Sequence, residues 1–242
     1  MSKVLPILFN TDMVRAILDG RKTVTRRTVK YKYSNTEMKM HTDKYGTRLI
    51  EIQKDIEGET HGRNPDGSTW HKLLPYIEKN PPYRRGDILY VREAWSFLPC
   101  VECMDEGPAC SIAPVVYDDG DVEAEGCFVY KASHPRPEKV SWEPSIHMPK
   151  QASRIWLKVI DVRVEQLQDI TEEHAKSEGA IDNRGYIHSA GNEYDDIHSA
   201  KDHFKKIWDS TIRKLDIDRY GYEANPWVWV IEFERCGKPE MN

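Results

Sequence analysis

The sequence has no apolar run near the roughly 20 residues needed to cross a bilayer, and residues 1–6 lack the longer apolar stretch of a secretion signal. A membrane partner is therefore not expected, and the expected location is the cytosol. A glycine-rich phosphate loop, a dinucleotide fingerprint and a Ser-His-Asp signature are absent too, which argues against an NTPase or a dehydrogenase. Phenylalanine is scarce, with five against seven Trp and 12 Tyr, so most aromatic side chains carry a polar handle. There are no internal repeats. What remains is a chain of 242 residues, 39% apolar and 31% charged, with a mean hydropathy of −0.70. Those values describe a water-soluble chain long enough for one large domain with a substantial core.

Charge is unevenly distributed. The net charge is −5, yet residues 21–48 hold nine basic residues against Glu37 and Asp43. Residues 102–126 carry eight acids and no Lys or Arg, and read as a solvated acidic insertion. A basic block can neutralise phosphates; the alternative is an ordinary solvated face. Overall acidity argues against tight duplex DNA binding and leaves room for a phosphate, nucleotide or single-stranded RNA site.

Apolar patterning predicts strands at about 4–9, 21–27, 48–52, 88–93, 127–130, 154–165 and 227–233. Residues 154–165 alternate most regularly. Asn10 or Thr11 caps a helix carrying Met13, Ile17 and Leu18 on one face and ending at Gly20. Thr171 caps a short helix stopped by Gly179, and a third helix spans about 199–215 with Phe204, Ile207, Trp208 and Ile212 on one face. The elements do not alternate regularly between strand and helix. The expected fold class is therefore α+β: a small, mostly antiparallel β-barrel with attached helices. Residues 28–84 are polar and weakly patterned, and together with 96–141 they read as insertions into one domain spanning 1–242. A regular strand at 21–27 sends Lys22 and Thr25 to opposite faces, so a bulge or the turn after Gly20 is needed to bring them together.

The order of these motifs resembles a known family. Gly20-Arg21-Lys22-Thr23-Val24-Thr25-Arg26, then Gly86-Asp87-Ile88-Leu89-Tyr90-Val91, then Ile170-Thr171-Glu172-Glu173-His174-Ala175, then Trp229-Val230-Ile231-Glu232-Phe233 is similar to the ASCH domain family of the PUA-like superfamily. The block from Trp142-Glu143-Pro144 to Ser153-Arg154 further resembles the longer ASCH proteins of phages and prophages. The resemblance covers about half of the chain and implies a PUA-like barrel that handles RNA or nucleosides. Small bacterial members are amidohydrolases that deacetylate N4-acetylcytidine. Lys22, Thr25 and Glu178 match their Lys, Thr and Glu, which implies Lys22 as base, Thr25 as nucleophile, and Glu178 as the group that orients the amine or shuttles its proton. A Lys whose pKa is lowered by burial can activate a hydroxyl. Arg21, Arg26 and Arg27 are near enough in sequence to bind an anion or a developing oxyanion. Without the resemblance, Lys22 and Thr25 read as an exposed strand pair and Glu178 as a surface carboxylate. The rival reading is a non-catalytic RNA-binding module or a ribonuclease; a third is a phage interaction protein that uses the acidic loop.

Three further groups are candidates. Arg92 and Trp95 close a strand and suit stacking on a base, although core packing explains Trp95 equally well. His147 reads as a pocket wall or as a hydrogen-bonded, half-buried histidine. Cys100, Cys103, Cys110 and Cys127 are spaced C-x2-C-x6-C-x16-C, with His134 or His147 as alternative ligands. In a cytosolic chain this spacing suits a structural zinc site, against the alternative of unpaired thiols. No cofactor is expected for catalysis.

Overall fold

The structure, a computed structural model, describes residues 2–34, 36–53, 61–63, 65–66, 69–71, 77–100, 115–118, 123–135, 137–184 and 199–239. It is a mixed α+β arrangement built from strands in several sheets and a few short helices. The first part of the chain holds β1 (Val4–Leu8), α1 (Thr11–Leu18), β2 (Val24–Thr28), β3 (Thr36–Asp43), β4 (Gly46–Gln53), β5 (His61–Arg63), β6 (Thr69–His71) and β7 (Ile77–Glu78). The middle holds β8 (Ile88–Arg92), β9 (Trp95–Pro99), β10 (Val115–Asp118) and β11 (Glu123–Tyr130). The last part holds β12 (Trp156–Gln166), α2 (Glu172–Ser177), α3 (Ala200–Thr211), α4 (Ile217–Tyr220) and β13 (Trp227–Cys236). Among the described residues no helix is long and apolar enough to cross a membrane.

The main sheet has the order β1-β8-β12-β13-β2. β1 runs parallel to β8, and the other pairings are antiparallel. No ladder joins β1 to β2 among the described residues, so the expected barrel is not closed there. A side chain spans the gap instead: Arg27 Nη2 donates to the Leu8 carbonyl at 2.7 Å. Among the described residues no sixth strand pairs with β2; Met13 of α1 and Phe204 and Trp208 of α3 share a cavity with its Thr25, Arg26 and Arg27. β3-β4-β7 and β10-β11-β9 form two smaller sheets, and β5 pairs with β6.

β13 is buried on both faces, which explains its unbroken apolar sequence. Its Trp229, Ile231 and Phe233 face a core with Ile7, Phe9 and Leu157. Val228 and Val230 face a second core with Val24, Leu167, Phe204 and Trp208. The region read as a polar insertion is not peripheral, because Met38 of β3 and Leu49 of β4 belong to the first core. Trp227 Nε1 also donates to the Met38 carbonyl at 3.2 Å. The third helix ends at Thr211, earlier than its pattern suggests; the chain then enters a 3-10 turn at Lys214–Asp216.

Candidate active site

Two helix ends and one strand edge assemble the site. Asn10 caps α1 by accepting from the Met13 N–H at 2.9 Å. Gly20, at φ +74°, then reverses the chain so that the Arg21 and Lys22 N–H groups both reach the Ala16 carbonyl. Lys22 thus precedes β2 and forms an isolated antiparallel bridge with Glu178. The alternation that would have separated Lys22 from Thr25 does not apply, since the strand begins at Val24. On the other side, Thr171 caps α2 by accepting from the His174 N–H, and Gly179, at φ +94°, ends it. A Cβ at Gly179 would lie 2.9 Å from the Ala16 Cβ and 3.5 Å from the Lys22 Cβ. Glycine is required there by conformation and by space, and that close approach places Glu178 against Lys22.

The Lys22 side chain is fully buried, and that of Glu178 is 6% exposed. Lys22 Nζ donates to Glu178 Oε2 at 2.7 Å and to the carbonyls of Val24 and Glu178 at 2.8 Å each. Desolvation pushes the Lys22 ammonium below its ordinary pKa, opposed by Glu178 and reinforced by Arg27 and Arg26. Arg26, also fully buried, donates from Nη1 to Glu178 Oε1 and from Nη2 to Glu165 Oε2, both at 3.2 Å. Glu165 Oε1 accepts from Arg163 Nε at 2.5 Å, and Arg163 also pairs with Glu232. A chain of alternating charges therefore runs from the interior to solvent. Two donors are left over: Arg26 Nε is buried with no partner among the described residues, and the Thr25 hydroxyl makes no hydrogen bond there, although Thr25 is 3% exposed.

Thr25, Arg26 and Glu178 line a cavity of about 40 Å³ with Arg27, Phe204 and Trp208, among others, and Lys22 reaches it only through Glu178. A larger depression of about 310 Å³ shares Met13, Glu178 and Ile207 with it and includes Arg21 and His203. Its size lies at the lower end for small-molecule sites. Arg21 donates to the Gly179 carbonyl at 3.2 Å and pairs with Asp19. Arg27, held by Leu8, lies 5.3 Å from the Phe9 ring centroid.

Thr25, Arg26, Arg27 and Glu178 line the small cavity, Arg21 and Glu178 the larger one, and Lys22 joins them through its bond to Glu178; Lys22, Arg92, Trp95 and His147 line neither cavity. Arg92 Nη2 donates to the Ile146 carbonyl. Trp95 is 5% exposed and packs on Tyr117 and Phe128, so it serves a small aromatic core rather than an open stacking surface. His147 is exposed on a 3-10 turn. Of the cysteines, Cys127 is buried in β11 and Cys100 follows β9, while Cys103 and Cys110 lie outside the described residues. Among the described residues no cluster of three or more His, Cys, Asp or Glu is arranged to hold a metal. Neither the α3 wall nor Glu165 is marked as part of a site by the sequence motifs. The charged positions Asp161, Arg163 and Glu165 on one face of an otherwise apolar strand were the available signal.

Scans against known family models, curated proteins and solved structures return no match.

Proposed function

We propose that this protein hydrolyses the amide of an N4-acylated cytosine, the activity implied by the resemblance to ASCH amidohydrolases. One observation carries the reading: Glu178, 156 residues from Lys22 in sequence, bonds Lys22 in a buried site and shares a cavity wall with Thr25. Lys22 gives its three N–H groups to Val24 and Glu178 and none to Thr25. The base is therefore the Lys22–Glu178 pair, which can take the Thr25 proton once the Lys22 ammonium, held below its ordinary pKa by burial, has released one to solvent. The Thr25 oxygen bonds to the acyl carbon as its proton passes to this pair. The C–N bond breaks as that proton moves to the departing ring amine, and water then hydrolyses the Thr25 ester to release the carboxylic acid. Arg26 Nε is a buried donor without a partner among the described residues, and the Arg26 cation beside Glu178 adds positive charge to the site.

The rival RNA-binding reading needs the same cations to hold phosphates. Lys22 and Arg26 already neutralise Glu178 and Glu165, which favours the hydrolase. The test is release of acetate and cytidine from N4-acetylcytidine. Wild type should turn over, and Thr25→Val should lose roughly 10³-fold or more in kcat. Full activity in Thr25→Val removes the nucleophile assignment. A folded wild type without turnover removes the reading, and salt-sensitive affinity for single-stranded RNA would then favour the rival.

A further inference from the structure

The small cavity is lined by three consecutive residues, Thr25, Arg26 and Arg27. Side chains of successive strand residues point to opposite faces, so what the three share is the edge of the strand. Among the described residues β2 pairs with β13 alone. Thr25 faces Ile231 and Arg26 faces Val230 in that pairing. At its two ends, the Thr23 carbonyl accepts from the Phe233 N–H and the Val29 N–H donates to the Trp227 carbonyl, both at 2.9 Å. Bonded residues alternate along an antiparallel ladder. Thr25 and Arg27 therefore direct their main-chain groups to β13, and Arg26 directs its N–H and C=O outward. The neighbouring outward carbonyl, that of Val24, is already taken by Lys22. Neither main-chain group of Arg26 has a partner among the described residues, yet Arg26 is only 4% exposed. Buried main-chain groups require partners, and the cavity is the place from which one can come.

We infer that the main-chain N–H and C=O of Arg26 form the recognition element of the site, reading the edge of a nucleobase that presents a ring-nitrogen acceptor beside an exocyclic N–H. One residue of an open strand edge offers a donor and an acceptor on the same side, and a cytosine-type edge offers the complementary pair. The ring nitrogen accepts from the Arg26 N–H, and the exocyclic N–H donates to the Arg26 carbonyl. Phe204 and Trp208 of α3 supply the apolar side of the space beside that edge. A space of about 40 Å³ admits only this edge, and the ribose lies in the adjoining depression of about 310 Å³. This assignment rests on the proposed function for the choice of a pyrimidine, but it concerns binding and not bond cleavage.

The test uses the full chain and three nucleosides that are not substrates: cytidine, N4-methylcytidine and N4,N4-dimethylcytidine. The last has no exocyclic N–H. Binding is followed by titration, and the Arg26 amide is followed by NMR and hydrogen exchange. Cytidine and N4-methylcytidine should bind and slow exchange at Arg26, while the dimethyl analogue should bind at least about tenfold more weakly, because it leaves a buried carbonyl unpaired. Equal affinity for all three, no binding of any, or binding that leaves the Arg26 amide unchanged overturns the inference. Hydrolysis of N4-acetylcytidine together with any of those results leaves the hydrolase reading standing alone. Protection of Arg26 without hydrolysis leaves the recognition element standing alone.

Discussion

Thr25 and Lys22 should respond in opposite ways to removal. Thr25→Val is nearly isosteric and deletes a hydroxyl that has no hydrogen bond among the described residues, so its stability should stay within about 0.5 kcal/mol of wild type. Lys22→Met leaves the Glu178 carboxylate with Arg26 alone and strands two carbonyls that Lys22 had satisfied. Breaking a buried pair on one side costs about 3–5 kcal/mol. Adding Glu178→Gln to Lys22→Met should restore part of that loss. Urea unfolding of the four proteins checks both statements; a Thr25→Val loss above about 1 kcal/mol would mean that the hydroxyl has a structural partner. The contrast also explains what was legible at this scale. Residue types and motif order pointed to Lys22, Thr25 and Glu178, but periodicity argued against them, because it treats Lys22 as part of a regular strand. The local reversal at Gly20 removes that objection, and the close approach at Gly179 adds a contact between segments more than 150 residues apart. Arg26 as a main-chain contact is not readable from its side chain at all.

At the scale of elements, the β3–β4 hairpin depends on one buried carboxylate. Glu51 accepts from the Lys32 N–H at 2.8 Å, the Tyr33 N–H at 2.9 Å and the Thr36 hydroxyl at 2.5 Å, and it pairs with Lys79. Burial alone would raise its pKa. The bonds from Lys79, Thr36, Lys32 and Tyr33 outweigh burial and hold it at about 2, against an ordinary 4.5. A folded-state pKa below the unfolded one contributes stability above pH 4.5 that is lost as pH falls toward 2. The difference corresponds to about 3 kcal/mol. Glu51→Gln should therefore be less stable than wild type by about that amount at pH 7, and the gap should shrink between pH 4.5 and 3. Unfolding free energies at the three pH values check it, and a gap that does not change with pH would exclude the carboxylate as its source. This hairpin was only partly visible in sequence, at about 48–52. A hairpin organised by a hydrogen-bonded acid leaves little apolar alternation to read, whereas β12 and β13, shaped by burial, were read nearly to their ends.

For the whole molecule, the α+β class followed from the mixture of strand and helix patterns, but the open edge did not. Whether β1 meets β2 depends on tilt, stagger and what covers the last strand, none of which is written in local periodicity. Domain organisation is a further consequence of long-range packing. The 28–84 stretch reads as an insertion by composition, yet its Leu49 is 1% exposed within the main core, and Met38 is tied to Trp227 across 189 residues. Those contacts lead us to expect that the hairpin unfolds with the five-stranded sheet. Leu49→Ala should then cost about 2–5 kcal/mol and lower the Tm of the whole protein by roughly 5–15 °C. Tryptophan fluorescence, to which Trp229 in that core contributes, and far-UV circular dichroism should still give one coincident transition. If the hairpin instead folded as a separate unit, the substitution would split off an early transition and leave the fluorescence midpoint where it was. The site depends on which occurs: Val24, on the same strand as Thr25 and Arg26, packs with Val228 and Val230, and those residues sit on the strand whose opposite face Leu49 helps to bury. A single shifted transition would therefore couple the hairpin to the stability of the Lys22–Glu178 site, and turnover in Leu49→Ala should then persist below the new Tm with an unchanged pH profile.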